Sequence, residues 1–302
     1  TPYRLIVIND CSPEPEVTLW LRERAAQDSR IMLLENAENL GFVGTVNRGM
    51  AVSDSNDVLL LNSDTEVAND WLDRIRAAAY GDQRIASVTP LSTNATICSY
   101  PRFCQANELP QGWSASALDV LCAQHLAHEV LDIPTAVGFC MYIRRDCLRQ
   151  VGLFDVENFG RGYGEENDLC QRAIKAGWLN ILSPNMYAFH EGGVSFSTDK
   201  QALVDRAMGV LDSLHPNYHA DVQAFIQRDP LRLARVERYL QLLAKLTLPK
   251  VLHVSHGLGG GVGQHIEELA GYFDQGAAHL VLAPQDGPNV VSLSLRACKL
   301  TD

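Results

Sequence analysis

The sequence predicts an α/β chain organised around a doubly wound, Rossmann-like sheet, and three observations carry that expectation. Short continuous apolar runs at Leu5–Ile8, Ile31–Leu34 and Val58–Leu61 suit strands covered on both faces. Each run stops at turn-forming residues, namely Asn9-Asp10-Cys11-Ser12-Pro13, Asn36 and Asn62-Ser63-Asp64. Helical stretches lie between the runs, giving the strand–helix alternation of an open sheet with flanking helices. In such sheets ligands sit beyond the carboxyl ends of the strands, and Asp10 and Asp64 each fall just past one.

Taken in order, Leu5–Ile8 is the first strand, and Glu16 to Asp28 follows as a helix with Val17, Trp20 and Leu21 at helical spacing. After the second run, a Gly-rich turn leads into a helix over Gly44–Ser53, and Val58–Leu61 is the third strand. From Asn94 to Asp132 the pattern weakens into a polar, Pro-containing stretch with one helix at Ser116–Leu131. A strand at Ala136–Ile143 precedes a helix that begins near Asp146. The loop Gly160-Arg161-Gly162-Tyr163-Gly164 then feeds an amphipathic helix, Glu165–Ala176, stopped by Gly177. Ile181-Leu182 and Met186–His190 read as two short strands. Residues 200–248 read as helical, with breaks near His215-Pro216 and Asp229-Pro230. Lys250–Ser255 opens a new β-α unit, with a glycine-rich loop at Gly257–Gly263 and a helix to about Phe273.

Composition narrows the function classes. The 302 residues are 46% hydrophobic and 20% charged, as in ordinary globular domains. No apolar run reaches the ~18 residues of a membrane-spanning helix. A net charge of −11 argues against sequence-independent nucleic-acid binding, which relies on Lys and Arg to neutralise phosphates. The eight cysteines form no C-x-x-C pair and read as reduced thiols of a cytosolic protein. Both ends are expected to be cut: residue 1 is Thr, a strand begins almost at once, and the chain stops without a terminal helix.

Three segments carry chemistry. Asn62-Ser63-Asp64 places an amide and a carboxylate two residues apart at a strand end, half of an oxygen cage for Mg²⁺ or Mn²⁺. The same Ser and Asp also fit a helix N-cap ahead of Trp71, and the two readings stand level. In Glu165-Glu166-Asn167-Asp168, three carboxylates crowd a helix start behind a flexible loop. The helix dipole favours acids there, while crowding raises a carboxyl toward the pKa of a general base. His190 follows a strand and gains meaning as a ligand only if the fold brings it beside Asp64. The pairs His125/His128 and His215/His219 lack a third ligand and are read as solvated faces.

As an ordered set these segments resemble family 2 glycosyltransferases over residues 1 to about 200. Val7–Ser12 is similar to the family's nucleotide-base strand end, and Asn39-Leu-Gly41-Phe and Asn47-Arg48-Gly49 to its N-x-G and R-N-x-G elements. Asn62-Ser63-Asp64 stands at the D-x-D position, and Glu165-Glu166-Asn167-Asp168-Leu169 at the E-D-x-D-L acid segment. His190 matches the late metal-binding histidine. Gly138–Ile143 and Val151–Asp155 resemble the subgroup acting in rhamnan, O-antigen and other bacterial surface polysaccharides.

The resemblance implies the GT-A fold, a Rossmann-like mixed, mostly parallel sheet with flanking helices, in residues 1–200. A helical extension would follow at 201–248. Residues 249–302 would be the truncated start of a GT-B domain, because Val251–His265 resembles the opening of a family 4 glycosyltransferase. The family's opening strand is expected ahead of Thr1. By resemblance, Asp10 contacts the nucleotide, with Asn39, Asn47, Arg48 and Asn62 in the same donor pocket. Asp64 and His190 hold the divalent cation, and Glu166 is the base, with Glu165 as the alternative because Glu replaces the usual Asp. The implied reaction is inverting transfer from a UDP-, dTDP- or GDP-sugar to a glycan or lipid-linked acceptor, at the inner face of the cytoplasmic membrane. A sugar nucleotidyltransferase and a degenerate nucleotide- or glycan-binding module are the competing readings.

Overall fold

The computed structural model describes residues 1–109, 113–125, 130–160, 162–192, 200–245, 249–256, 258, 260–272, 277–284 and 291–295. The chain opens with β1 (Leu5–Asn9), α1 (Pro15–Gln27), β2 (Ile31–Glu35), α2 (Gly41–Met50), β3 (Val58–Leu61) and the two-residue β4 (Thr65–Glu66). Next come α3 (Trp71–Ala79), β5 (Ile85–Ser92), α4 (Ala115–His125), β6 (Leu131–Asp132), β7 (Cys140–Ile143), α5 (Arg145–Val151) and α6 (Val156–Phe159). Then follow α7 (Glu165–Lys175), β8 (Leu179–His190), α8 (Lys200–Leu214), α9 (Tyr218–Arg228) and α10 (Arg232–Lys245). The last elements are β9 (Lys250–Val254), α11 (Gly260–Tyr272), β10 (Ala278–Pro284) and β11 (Val291–Leu295).

The alternation predicted for the first third is present, and the breaks at His215-Pro216 and Asp229-Pro230 fall between α8, α9 and α10. The central sheet is mixed, in the order β3-β7-β5-β8-β4, with β6 paired to β8. Within it β5 and β8 run parallel, while β7 is antiparallel to both β3 and β5. β1 and β2 pair in parallel as a separate two-stranded sheet.

β7 shows why a four-residue strand can anchor the molecule. Its alternating side chains enter two different cores. Cys140 and Tyr142 pack with Ile75, Val88, Leu121 and Ile181, whereas Met141 and Ile143 pack with Val43, Leu169 and Leu211. Every one of these side chains is buried, as expected of a central strand covered by helices on both faces.

Several boundaries differ from expectation, each for a local reason. The two short strands predicted near Ile181 and Met186 are one strand, β8, that runs through Pro184. Its register with β5 slips between Pro90 and Leu91. There side chains substitute for the ladder: Asp119 Oδ1 accepts from Tyr187 N at 3.0 Å, and Arg74 donates to the Asn185 carbonyl. The strand predicted from Ala136 is confined to Cys140–Ile143. In α1, Trp20 is exposed and no side chain is fully buried, since its only sheet is the two-stranded one. His215, expected on a solvated face, is 4% exposed, because Asp168 of α7 gives it a buried partner. His219 does lie half-exposed, beside Asp212. The side chain of His125, and His128, Gly257 and Gly259, lie outside the described residues.

Beyond α10, β9, β10 and β11 form a three-stranded sheet with α11 alongside in sequence. Leu252, Val254 and Leu258 are 55%, 75% and 87% exposed, so this unit covers its apolar residues poorly.

Candidate active site

The short β4 decides the geometry of the site. It pairs antiparallel with the end of β8, Thr65 opposite His190 and Glu66 opposite Phe189. Glu191 N also donates to the Asp64 carbonyl at 3.2 Å. This register sets His190 Nε2 3.4 Å from Asp64 Oδ1. His190 Nδ1 lies 2.8 Å from the Asn94 carbonyl, which can only accept, so Nδ1 carries a hydrogen and Nε2 is the nitrogen turned toward Asp64. Its ring stacks on Phe139 at 5.0 Å. Thr93 Oγ1 bridges its backbone, accepting from His190 N at 3.0 Å and donating to its carbonyl at 2.6 Å.

The capping alternative for Asp64 fails on the same geometry. α3 begins at Trp71 behind Asp70, and the residues after Asp64 are extended. Asp64 with His190 is therefore a carboxylate–imidazole pair free to share a cation. Among the described residues no group of three or more His, Cys, Asp or Glu could hold a metal. Two ligands suit a hard cation that keeps water and substrate phosphates in its remaining positions.

Phe139 joins this pair to the rest of the site. Its carbonyl accepts from Asn62 N at 2.9 Å and faces Thr65 Oγ1 at 3.4 Å. The residue before it, Gly138, meets the acid helix: a Cβ there would stand 3.8 Å from Glu166 Oε1. The strand-end carboxylate, the histidine and Glu166 are thus gathered around two consecutive residues.

Helix α7 begins at Gly164, whose φ of +90° and contact with Phe159 leave no room for a side chain. A Cβ there would lie 2.8 Å from the Phe159 ring. Glu165 is buried, and its Oε2 has no hydrogen-bond partner among the described residues. Burial, and then the charge of Glu166, push its carboxyl well above the ordinary range. Burial likewise raises Glu166. The two titrate as a pair. Asp168, by contrast, is tied to Arg172 and His215 through its two oxygens.

A second group lies beyond β1. Asp10 Oδ1 accepts from Asn36 Nδ2 at 2.6 Å and from Leu40 N at 2.8 Å. Burial raises the Asp10 carboxyl, but these hydrogen bonds outweigh it and hold the group below its ordinary value. Asn39 Nδ2 donates to the Asp10 carbonyl at 3.0 Å, and Arg48 Nη1 to the Glu35 carbonyl at 2.8 Å and to Asn36 Oδ1. Asn36 is the hub of this cluster, although in the sequence it shows only as a strand end. Asn47 is spent otherwise: both ends of its amide bind the backbone of Phe154, at 2.8 and 3.0 Å. These bonds fasten α2 to the segment after α5. Asn94, which orients His190, carries no motif, whereas Phe139, which stacks on the ring, lies within the Gly138–Ile143 segment.

Comparison with known proteins bears on the family and the fold. The family described as Glycosyl transferase family 2 matches residues 1–152. The chain is 27% identical over 190 residues to an N-acetylglucosaminyl-diphospho-decaprenol L-rhamnosyltransferase of Mycobacterium tuberculosis, covering 56% of this chain and 61% of that protein. This chain therefore spans less than two thirds of that relative. Among solved structures it resembles GalNAc-T7 with UDP, GalNAc and Mn²⁺, with a TM-score of 0.52 at 14% identity over 83% of this chain and 54% of that one. It also resembles the mannosyltransferase PcManGT from Pyrobaculum calidifontis with GDP-Man and Mn²⁺, at TM-score 0.50 and 12% identity, over 89% and 71%. At these identities the structural likeness establishes the fold, which is GT-A. With the family matched over half its length, the chain belongs to glycosyl transferase family 2.

Proposed function

We propose that the chain transfers a sugar from a nucleoside diphosphate sugar to a hydroxyl of a glycan or lipid-linked acceptor, with inversion at the anomeric carbon. One observation carries the reading: Asp64 Oδ1 and His190 Nε2 stand 3.4 Å apart, with Nδ1 spoken for by Asn94. A carboxylate beside an imidazole nitrogen suits Mg²⁺ or Mn²⁺. When bound, the ion supplies positive charge that stabilises the departing diphosphate.

The protein's own groups do the rest. The Asp10–Asn36–Asn39–Arg48 cluster offers polar groups for the base and ribose, and Asn62 faces the diphosphate from the β3 end. Burial raises both Glu165 and Glu166, and the charge of Glu166 raises Glu165 further, so the two carboxyls titrate as a pair. Glu166, the member beside Gly138, takes the proton from the acceptor hydroxyl as it attacks.

The mycobacterial relative, a rhamnosyltransferase acting on a diphospho-decaprenol-linked sugar by its name, supports a rhamnosyl donor and a lipid diphosphate-linked acceptor. Such an acceptor would be met at the inner face of the cytoplasmic membrane. No helix among the described residues is long and apolar enough to cross a membrane. Turnover of UDP-, dTDP- and GDP-sugars with Mn²⁺ should appear for one nucleotide class and vanish in EDTA. Glu166→Gln should lower kcat by about 10²–10⁴-fold while the donor still raises the melting temperature. Metal-independent turnover, or a fully active Glu166→Gln, would defeat the reading, and binding without turnover would favour a degenerate module.

A further inference from the structure

We infer that His215 is a positioning residue for the Glu165–Glu166 pair, and that α8 is part of the catalytic unit rather than a connection behind it. The inference rests on the acid pair acting as proposed above. It begins at Asp168, one turn along α7 from Glu165, with its side chain 2% exposed. Arg172 Nε donates to its Oδ2 at 2.7 Å, and His215 Nε2 approaches its Oδ1 at 2.7 Å.

His215 sits where α8 ends, just before Pro216. Its Nδ1 lies 2.9 Å from Lys175 Nζ, which can only donate, so Nδ1 accepts and Nε2 carries the hydrogen given to Asp168. Lys175 Nζ also donates to the Leu214 carbonyl at 2.9 Å, closing the end of α8. Arg172 holds the other side through the carbonyls of Leu153, at 2.8 Å, and Val151. Farther up, Ala207 of α8 meets the start of α7, where a Cβ on Gly164 would be 3.6 Å from Ala207 Cβ. α8 thus touches α7 at both ends, and Leu169, Ala207 and Leu211 share one core.

Glu165 and Asp168 are three residues apart and lie on one face of α7, so whatever fixes Asp168 fixes the depth and rotation of the acids above it. Without His215 a buried carboxylate oxygen loses its donor, which favours a shift of the helix toward another partner. The charge felt by the acids changes as well. The groups around them are the Tyr163 and Tyr218 hydroxyls, the Cys170 thiol, and the Arg172 and Lys175 cations, with the exposed His219–Asp212 pair beyond. Burial raises Tyr163, Tyr218 and Cys170, so all three stay neutral at working pH. Asp168 stands one helical turn from the acids, paired with Arg172 on one oxygen and with His215 on the other.

The test is kcat, donor KM and the acid limb of the kcat–pH profile for His215→Gln, His215→Leu and Asp168→Asn, with Glu166→Gln alongside. His215→Gln restores an N–H donor and should stay within about 3-fold of the parent. His215→Leu should lose about 10–100-fold in kcat with donor KM unchanged, and its acid limb should move to higher pH. Asp168→Asn removes the negative charge and should move the limb to lower pH. Equal losses in His215→Gln and His215→Leu, or a limb that stays put in Asp168→Asn, overturn the proposal. Should His215→Leu fail to fold, the Asp168→Asn limb decides alone. Full activity in Glu166→Gln would instead overturn the parent reading of the acid pair, whatever His215 does.

Discussion

His190 Nε2 points at Asp64 Oδ1 across 3.4 Å because a two-residue strand, Thr65–Glu66, lays the turn after β3 against the last residues of β8. The imidazole proton is fixed on the far nitrogen by Asn94, which leaves the near nitrogen open to an ion shared with Asp64. His190→Ala and Asp64→Asn should therefore each raise the Mn²⁺ concentration needed for half-maximal turnover by at least about 10-fold, with the melting temperature in EDTA little changed. Metal titration of initial rates checks this, and an unaltered Mn²⁺ requirement in both variants would remove the pair from the cation site.

Glu165 yields a prediction about stability. Its carboxyl is raised by burial, so the folded chain holds that proton more tightly than the unfolded chain, whose glutamates titrate near ~4.3. From there up to the raised folded value, stability falls as pH rises. Glu165→Gln removes the titration, and its melting temperature should exceed the parent's by about 2–4 °C at pH 8 and by less at pH 5. A gain that is equal at both pH values would show that burial is not what perturbs the group.

Gly138 offers a way to block the site without disturbing the core. A Cβ at this position stands 3.8 Å from Glu166 Oε1, with no nearer neighbour. Gly138→Val puts methyl groups where an acceptor hydroxyl would approach the acid. Turnover should fall by about 100-fold while donor-induced thermal stabilisation persists. Loss of donor stabilisation as well would place this glycine in the donor half of the site.

Gly164 tests the backbone itself. With φ at +90° and the Phe159 ring 2.8 Å from where a Cβ would stand, Gly164→Ala combines strain with a clash. Unfolding in urea should show a loss of about 1–3 kcal/mol. An unchanged midpoint would mean that the start of α7 tolerates another conformation.

Much of this is legible in the chain alone, and what is not shares a cause. β1, β2, β3 and the acidic start of α7 can be read because local pattern and turn residues coincide there. Asp10, Asp64 and Glu166 stand out as carboxylates at strand ends or a helix start. The features that escape such reading depend on a partner remote in sequence. β4 is two residues long and exists only because β8 is beside it. β8 resembles two strands because Ser183-Pro184-Asn185 reads as a turn, and nothing local announces that Asp119 and Arg74 will satisfy the backbone there. His215 has the pattern of a surface histidine because Asp168 lies on another helix. Asn47 matches a motif, yet its amide closes on Phe154.

The neighbouring residues Gly138 and Phe139 stand at the entrance to β7, a strand whose side chains lock into two cores at once. One of them abuts the acid helix and the other supports the histidine and the turn bearing Asp64. The spacing between Glu166, the proposed proton acceptor, and Asp64 with His190, the proposed cation seat, is thereby set at one strand entrance, like two fittings on a common rail.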